Sequence, residues 1–404
     1  MPVSHYKVYG YRWVVLAVFM LINLTIQILW ITFGAITLPA GVFYRADDMQ
    51  IGMLAMVFMI VFIPLSLPVS WAIDTFGFYK PVCAGALLMG LFGILRGIWG
   101  GNYTAVLLCT IGLAITQPFL LNSWTKVAAR WFPIQERAMA VGLAAVASFL
   151  GTGIGLAVTP LLIEQVSIPT MLLIYGIAAS LSAVLFVGLA REYPPTPPCP
   201  PELEGRVLML DGLKTLLKSG PFWLLMWLFL ICNGIFNGLS TWIESIVRPR
   251  GFTPVDAGLF GGMLLLGGIL GAMILPTLSD KFQKRLPFMF VGLCGAIPGL
   301  LGLTFGLVSW VIIVSSFCLG FFLVSCAPIG YQYAAELTYP VPEGTSNGML
   351  TLAGQISVVF IFGMESLKNA DGSFTLSLLI LTGLVLSCIL LITHLRESPL
   401  ILKV

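Results

Sequence analysis

The chain has 404 residues, of which 58% are hydrophobic and only 9% charged. An ordinary soluble domain is about 25% charged, so this chain cannot coat a water-facing surface of its size and is expected to be dissolved in lipid. A net charge of +3 gives no basis for nucleic-acid binding, and two histidines are too few for a histidine-built metal cluster. Cys83, Cys109, Cys199, Cys232, Cys294, Cys318, Cys326 and Cys388 are scattered singly, with no paired spacing, so no metal, cofactor or redox pair is expected.

A helix crosses a bilayer with about 20 apolar residues. Twelve such runs follow one another at about 12–39, 50–73, 81–100, 103–128, 138–163, 168–190, 221–247, 255–278, 287–307, 309–335, 345–367 and 373–395. None alternates polar and apolar as a barrel strand does. The first run is longer than the hydrophobic region of a signal peptide and is read as a retained span.

Span 1 carries Asn23, Gln27, Trp30 and Gly34, spaced so that all four share one helical face. Phe33 lies beside Trp30, and the two rings offer a π surface to a cation. Span 2 ends in Ser70–Lys80, which sets Asp74 six residues before Lys80, and the segment after span 8 repeats the pattern with Asp280 and Arg285. Arg130 and Arg137 follow span 4, and the segment after span 10 echoes theirs. Asp74 and Asp280 are expected to accept bonds from exposed helix N–H groups or to pair with Arg130 or Arg137, and so to hold a gate in one state. Asp74, Lys80, Arg130, Arg137, Asp280 and Arg285 form the expected gating set.

Span 4 contributes Gln117, span 7 carries Asn233 and Asn237 on one face with Ser240 and Glu244, and span 11 offers Thr351 and Gln355. Polar groups are costly in lipid and should face the bundle interior. Gln27, Gln117, Asn237 and Gln355 are therefore read as cavity-lining amides, whereas Ser and Thr are better explained as bonds between helices. Glu164, Glu244, Glu365 and Arg96 all fall toward outer span ends, so no Asp or Glu is expected near the midplane, which favours uniport.

Between spans 6 and 7, residues 191–220 include the Pro-rich stretch Tyr193–Pro201 and a short amphipathic segment, Val207–Leu217. The expected organisation is a first bundle over 1–190, a linker over 191–220 and a second bundle over 221–404. Placing both termini in the cytoplasm puts fifteen Lys and Arg inside and four outside, a strong positive-inside bias. The fold class is thus an all-α membrane protein, twelve helices in two pseudo-symmetric six-helix bundles.

The loop Asp74-x-x-Gly77-x-x-Lys80, weakly repeated after span 8, resembles the signature loop of the major facilitator superfamily. Trp30–Ile36, Gly41–Tyr44, Pro64–Gly77, Gln117–Leu121, Ala128–Phe132, Phe236–Thr241 and Gly348–Gln355 resemble the feline leukaemia virus subgroup C receptor family of haem and choline transporters, solute carrier family 49. The resemblance implies a choline-like headgroup held by Trp30, Gln117 and Gln355. Asn237 stands where the family carries a span-7 Tyr. The short tails resemble those of prokaryotic members.

The resulting expectation is an alternating-access carrier, not an enzyme, moving a choline- or ethanolamine-like cation by facilitated uniport. The expected site is Trp30, Gln27, Phe33, Gln117, Asn237, Gln355, Asn233 and Thr351. The alternatives are a haem, porphyrin or organic-anion carrier, possibly coupled to an ion, and a receptor or sensor that does not transport. A monomer in a prokaryotic inner or plasma membrane is expected, with a small molecule and lipid as its partners.

Overall fold

The computed structural model describes residues 7–198, 214–338, 341 and 343–397. Among them, twelve helices are long and apolar enough to cross a membrane: Arg12–Ile31, Asp48–Phe76, Tyr79–Ile98, Tyr103–Trp131, Met139–Gln165, Ile168–Leu189, Gly220–Arg250, Pro254–Phe282, Leu286–Phe305, Ser309–Thr338, Thr345–Ser366 and Thr375–Ile392. They are spans 1 to 12 below. The amphipathic segment expected at Val207–Leu217 lies mostly outside the described residues; residues 214–217 are helical.

The chain divides into two units, Met1–Phe33 with Pro39–Gly205, and Gly34–Leu38 with Arg206–Val404. Each unit has its own packing, and the pairings repeat. In the first, span 1 packs on span 5, span 2 on span 4 and span 3 on span 6. In the second, span 7 packs on span 11, span 8 on span 10 and span 9 on span 12. Lipid offers no hydrophobic drive between helices, so close backbone approach must supply the attraction. Gly267 and Gly271 of span 8 lie directly on the carbonyls of Phe317 and Phe321 of span 10, leaving no room for a Cβ.

Three spans are interrupted where the sequence predicts continuous helix. The 12–39 run breaks after Ile31, turns through 32–35 and resumes as a short helix, Thr37–Tyr44. Pro39 accounts for the break: it has no N–H for the Ala35 carbonyl, and its ring would strike that group. Span 4 is broken between Leu121 and Trp124, and span 11 at Ser357, between helices Glu343–Ile356 and Val358–Ser366. The Ser357 hydroxyl turns back onto the Gly354 carbonyl, a local bond that competes with the helix ladder.

Candidate substrate site and gating clusters

In the first unit the polar face of span 1 meets span 4. Gln117 donates from Nε2 to Oε1 of Gln27 at 3.2 Å, and its own buried Oε1 has no hydrogen-bond partner. Nearby, Asn23 accepts from the Trp124 indole at 2.8 Å. Trp30 is 5% exposed and donates from Nε1 to the Ala55 carbonyl of span 2 at 3.2 Å. Phe33 is also buried, with Tyr44 edge-on at 6.3 Å. Burial raises the Tyr44 phenol to about 12, and its hydroxyl donates to the Gly100 carbonyl at 2.7 Å.

In the second unit, the break in span 11 organises the polar groups. Asn237 donates to the Ser357 hydroxyl at 3.1 Å. Asn233 donates to Phe229 O at 2.9 Å, and its amide lies against Gly354. Thr351 donates to Asn347 O at 2.9 Å and lies 3.3 Å from the Tyr331 hydroxyl. Tyr331 in turn packs on Phe229, with ring centroids 4.8 Å apart. Gln355 is half-buried on the same helix. Asn233, Asn237, Thr351 and Gln355 thus belong to one region, and Tyr331 and Ser357 join it. Tyr331 is marked in the sequence as a polar residue near the inner end of span 10; the Ser357 break left no mark in the hydropathy.

The charged clusters at the ends of spans 2 and 8 differ from expectation. Asp74 accepts from Lys126 at 2.9 Å, not from Arg130 or Arg137. Arg130 instead lies 3.9 Å from Glu192 and over the Tyr193 ring. Arg137 turns back to the carbonyls of Phe132 and Ala129, both at 3.4 Å. Lys80 is exposed. The physical reason is the C-cap at Gly77, where the chain turns with φ +82 and frees the amides of Phe78 and Tyr79. Glu192 takes both, at 3.3 and 2.6 Å, and so draws Arg130 toward itself.

In the second unit, Arg285 bonds both Asp280 and Glu336, the latter at 2.9 Å. Burial alone would lower the pKa of Arg285, but bonds and charge from Glu336 and Asp280 hold it above its ordinary value. Glu397 accepts from the amides of Arg285 and Leu286 at 2.9 and 3.3 Å, as Glu192 does before span 3. The bonds of Lys126, Glu192, Glu336 and Glu397 are not legible in the sequence because their partners lie far along the chain.

A sequence model of the Major Facilitator Superfamily matches residues 8–362. The chain belongs to that superfamily. It also belongs to solute carrier family 49. It is 30% identical over 384 residues to "Solute carrier family 49 member A3" of Xenopus tropicalis, covering 90% of this chain and 79% of that one. It is 28% identical over 388 residues to "Choline/ethanolamine transporter FLVCR2" of Rattus norvegicus, covering 91% and 71%. Among solved structures, a bacterial homologue of the human lysosomal transporter Spinster shares the fold with a TM-score of 0.70 at 14% identity, covering 96% of both chains. The nucleoside transporter NupG does so at 0.71 and 11%, covering 94% and 99%. This major facilitator protein is therefore a multi-pass integral membrane transporter of small molecules, not an enzyme.

Proposed function

We propose that this carrier moves a choline- or ethanolamine-like cation by facilitated uniport, through alternating access. The observation that carries the reading is the Gln27–Gln117 amide pair on the same face of span 1 as Trp30, with the Gln117 carbonyl oxygen left without a partner. A buried acceptor of this kind costs about 1–3 kcal/mol while unbonded, and the hydroxyl or ammonium hydrogens of an amino alcohol would satisfy it. Aromatic surface with amides and without a carboxylate suits a quaternary ammonium group. Asn233, Asn237, Thr351, Gln355 and Phe33 are assigned to substrate binding as well. The relatives named choline/ethanolamine transporters favour this reading over haem or an organic anion.

The clusters around Asp74, Lys80, Arg130 and Arg137, and around Asp280 and Arg285, are assigned to gating. The organisation proposed is two six-helix halves, 1–190 and 221–404, joined by the 191–220 linker, working as a monomer with both termini cytoplasmic. The positive-inside bias supports that orientation. A plasma membrane or a prokaryotic inner membrane is the location proposed. The test is labelled-choline uptake into proteoliposomes: saturable uptake down a choline gradient supports the reading, and uptake no faster than in empty vesicles rejects it.

A further inference from the structure

Arg96, in the last turn of the Tyr79–Ile98 helix, is 1% exposed. A buried guanidinium costs several kcal/mol unless charge and hydrogen bonds compensate it. Its Nη1 donates to the Leu29 carbonyl at 2.9 Å, at the end of span 1 that the Thr32 break leaves open. Its cationic carbon stands 5.1 Å from the centre of the Phe33 ring. Among the described residues it belongs to no ion pair with a carboxylate.

Both remaining nitrogens, Nε and Nη2, are buried without a hydrogen-bond partner. Those two N–H groups leave one edge of the guanidinium in parallel, and that edge is the fork that grips two oxygens of a carboxylate or phosphate at once. The protein thus bonds the one nitrogen outside the fork and leaves the fork itself without a partner, beside Leu29 and Phe33 of the Trp30 segment. We infer that Arg96 is an oxyanion subsite, and that the preferred substrate is a zwitterion pairing a quaternary ammonium with a carboxylate. The inference rests on the headgroup site proposed at Trp30 and names its second pole. A simple cation would leave the fork unpaired beside a fixed positive charge, whereas a zwitterion cancels that charge.

The experiment measures binding to the purified carrier by ligand-dependent thermal shift. The probes are choline, glycine betaine, its homologue with three methylenes between nitrogen and carboxylate, and choline with added acetate. The expected result is that one of the two carboxylates binds at least about tenfold more tightly than choline, the margin of one charge-assisted fork. Arg96→Gln should abolish that preference while retaining choline, and Arg96→Lys, which keeps the charge without the fork, should do the same. Acetate tightening choline binding in the wild type but in neither variant would keep the subsite and assign it to a separate anion. Equal binding of all three ammonium compounds by the wild type, with no effect of acetate, overturns the inference and needs no variant. If no ammonium compound binds, the cation reading itself fails, and stabilisation by acetate alone, in wild type against Arg96→Gln, decides the subsite.

Discussion

The carboxylate of Glu192 occupies the place where a side chain on Gly77 would stand, and its two oxygens are bonded by the amides of Phe78 and Tyr79. Gly77 is required twice over: by its φ of +82 and by the carboxylate seated against it. Gly77→Ala should therefore strain the backbone and dislodge the cap on the Tyr79–Ile98 helix. The expected loss is about 1–3 kcal/mol of stability, seen as a lower Tm of the detergent-solubilised protein. A Tm unchanged by the substitution would mean that the cap contributes nothing.

Arg285 and Glu336 are both nearly buried, and each is the other's compensation. Removing one partner strands a charge, at a cost of about 3–5 kcal/mol. Arg285→Met is expected to lower Tm more than the double change Arg285→Met with Glu336→Met. Equal losses in the single and double variants would show that the pair is not coupled.

Trp30→Ala should abolish choline uptake while the protein still inserts and purifies. Trp30→Phe keeps an aromatic face but loses the Nε1 bond to Ala55, and should retain a reduced rate. Gln117→Ala removes the unpartnered acceptor and should raise KM more than it lowers the maximal rate, because a ground-state contact is lost. Both Ala variants transporting normally would remove these residues from the site.

For the uniport reading, an imposed pH gradient across choline-loaded proteoliposomes should leave the initial rate unchanged. Glu244 is the group to watch: it is 1% exposed, accepts from the Leu38 amide at 3.1 Å and faces Arg248 at 3.6 Å. Acceleration by the gradient that is lost in Glu244→Gln would replace uniport with proton coupling through that carboxylate.

The spans were legible because lipid imposes a single rule along the whole chain: every stretch of helix at membrane depth must be apolar on its outside. The pairing of Gln27 with Gln117 was legible in part, since a stripe on span 1 and a lone amide on span 4 both require an interior partner. The break at Thr32 was not, because hydropathy averages over a window and a turn of Thr, Phe, Gly and Ala scores like helix. Arg96 was legible in position, at the outer end of span 3, but not in its partner. Its direction across the bundle toward Leu29 depends on how span 3 is rotated, which the sequence does not state.

The two repeats anchor their exposed carboxylates differently. Asp74 and Asp280 are each 66% exposed, but Asp74 meets Lys126, whereas Asp280 meets an Arg285 that Glu336 also holds, and Arg285 and Glu336 are about nine-tenths covered. Mobile ions weaken an attraction they can surround and barely touch one they cannot reach. Raising ionic strength should therefore loosen Asp74–Lys126 at concentrations that leave Arg285–Glu336 intact. Salt then acts as a reagent that strips the exposed bonds and spares the covered one, and a turnover rate that changes with added electrolyte would report on the exposed carboxylates.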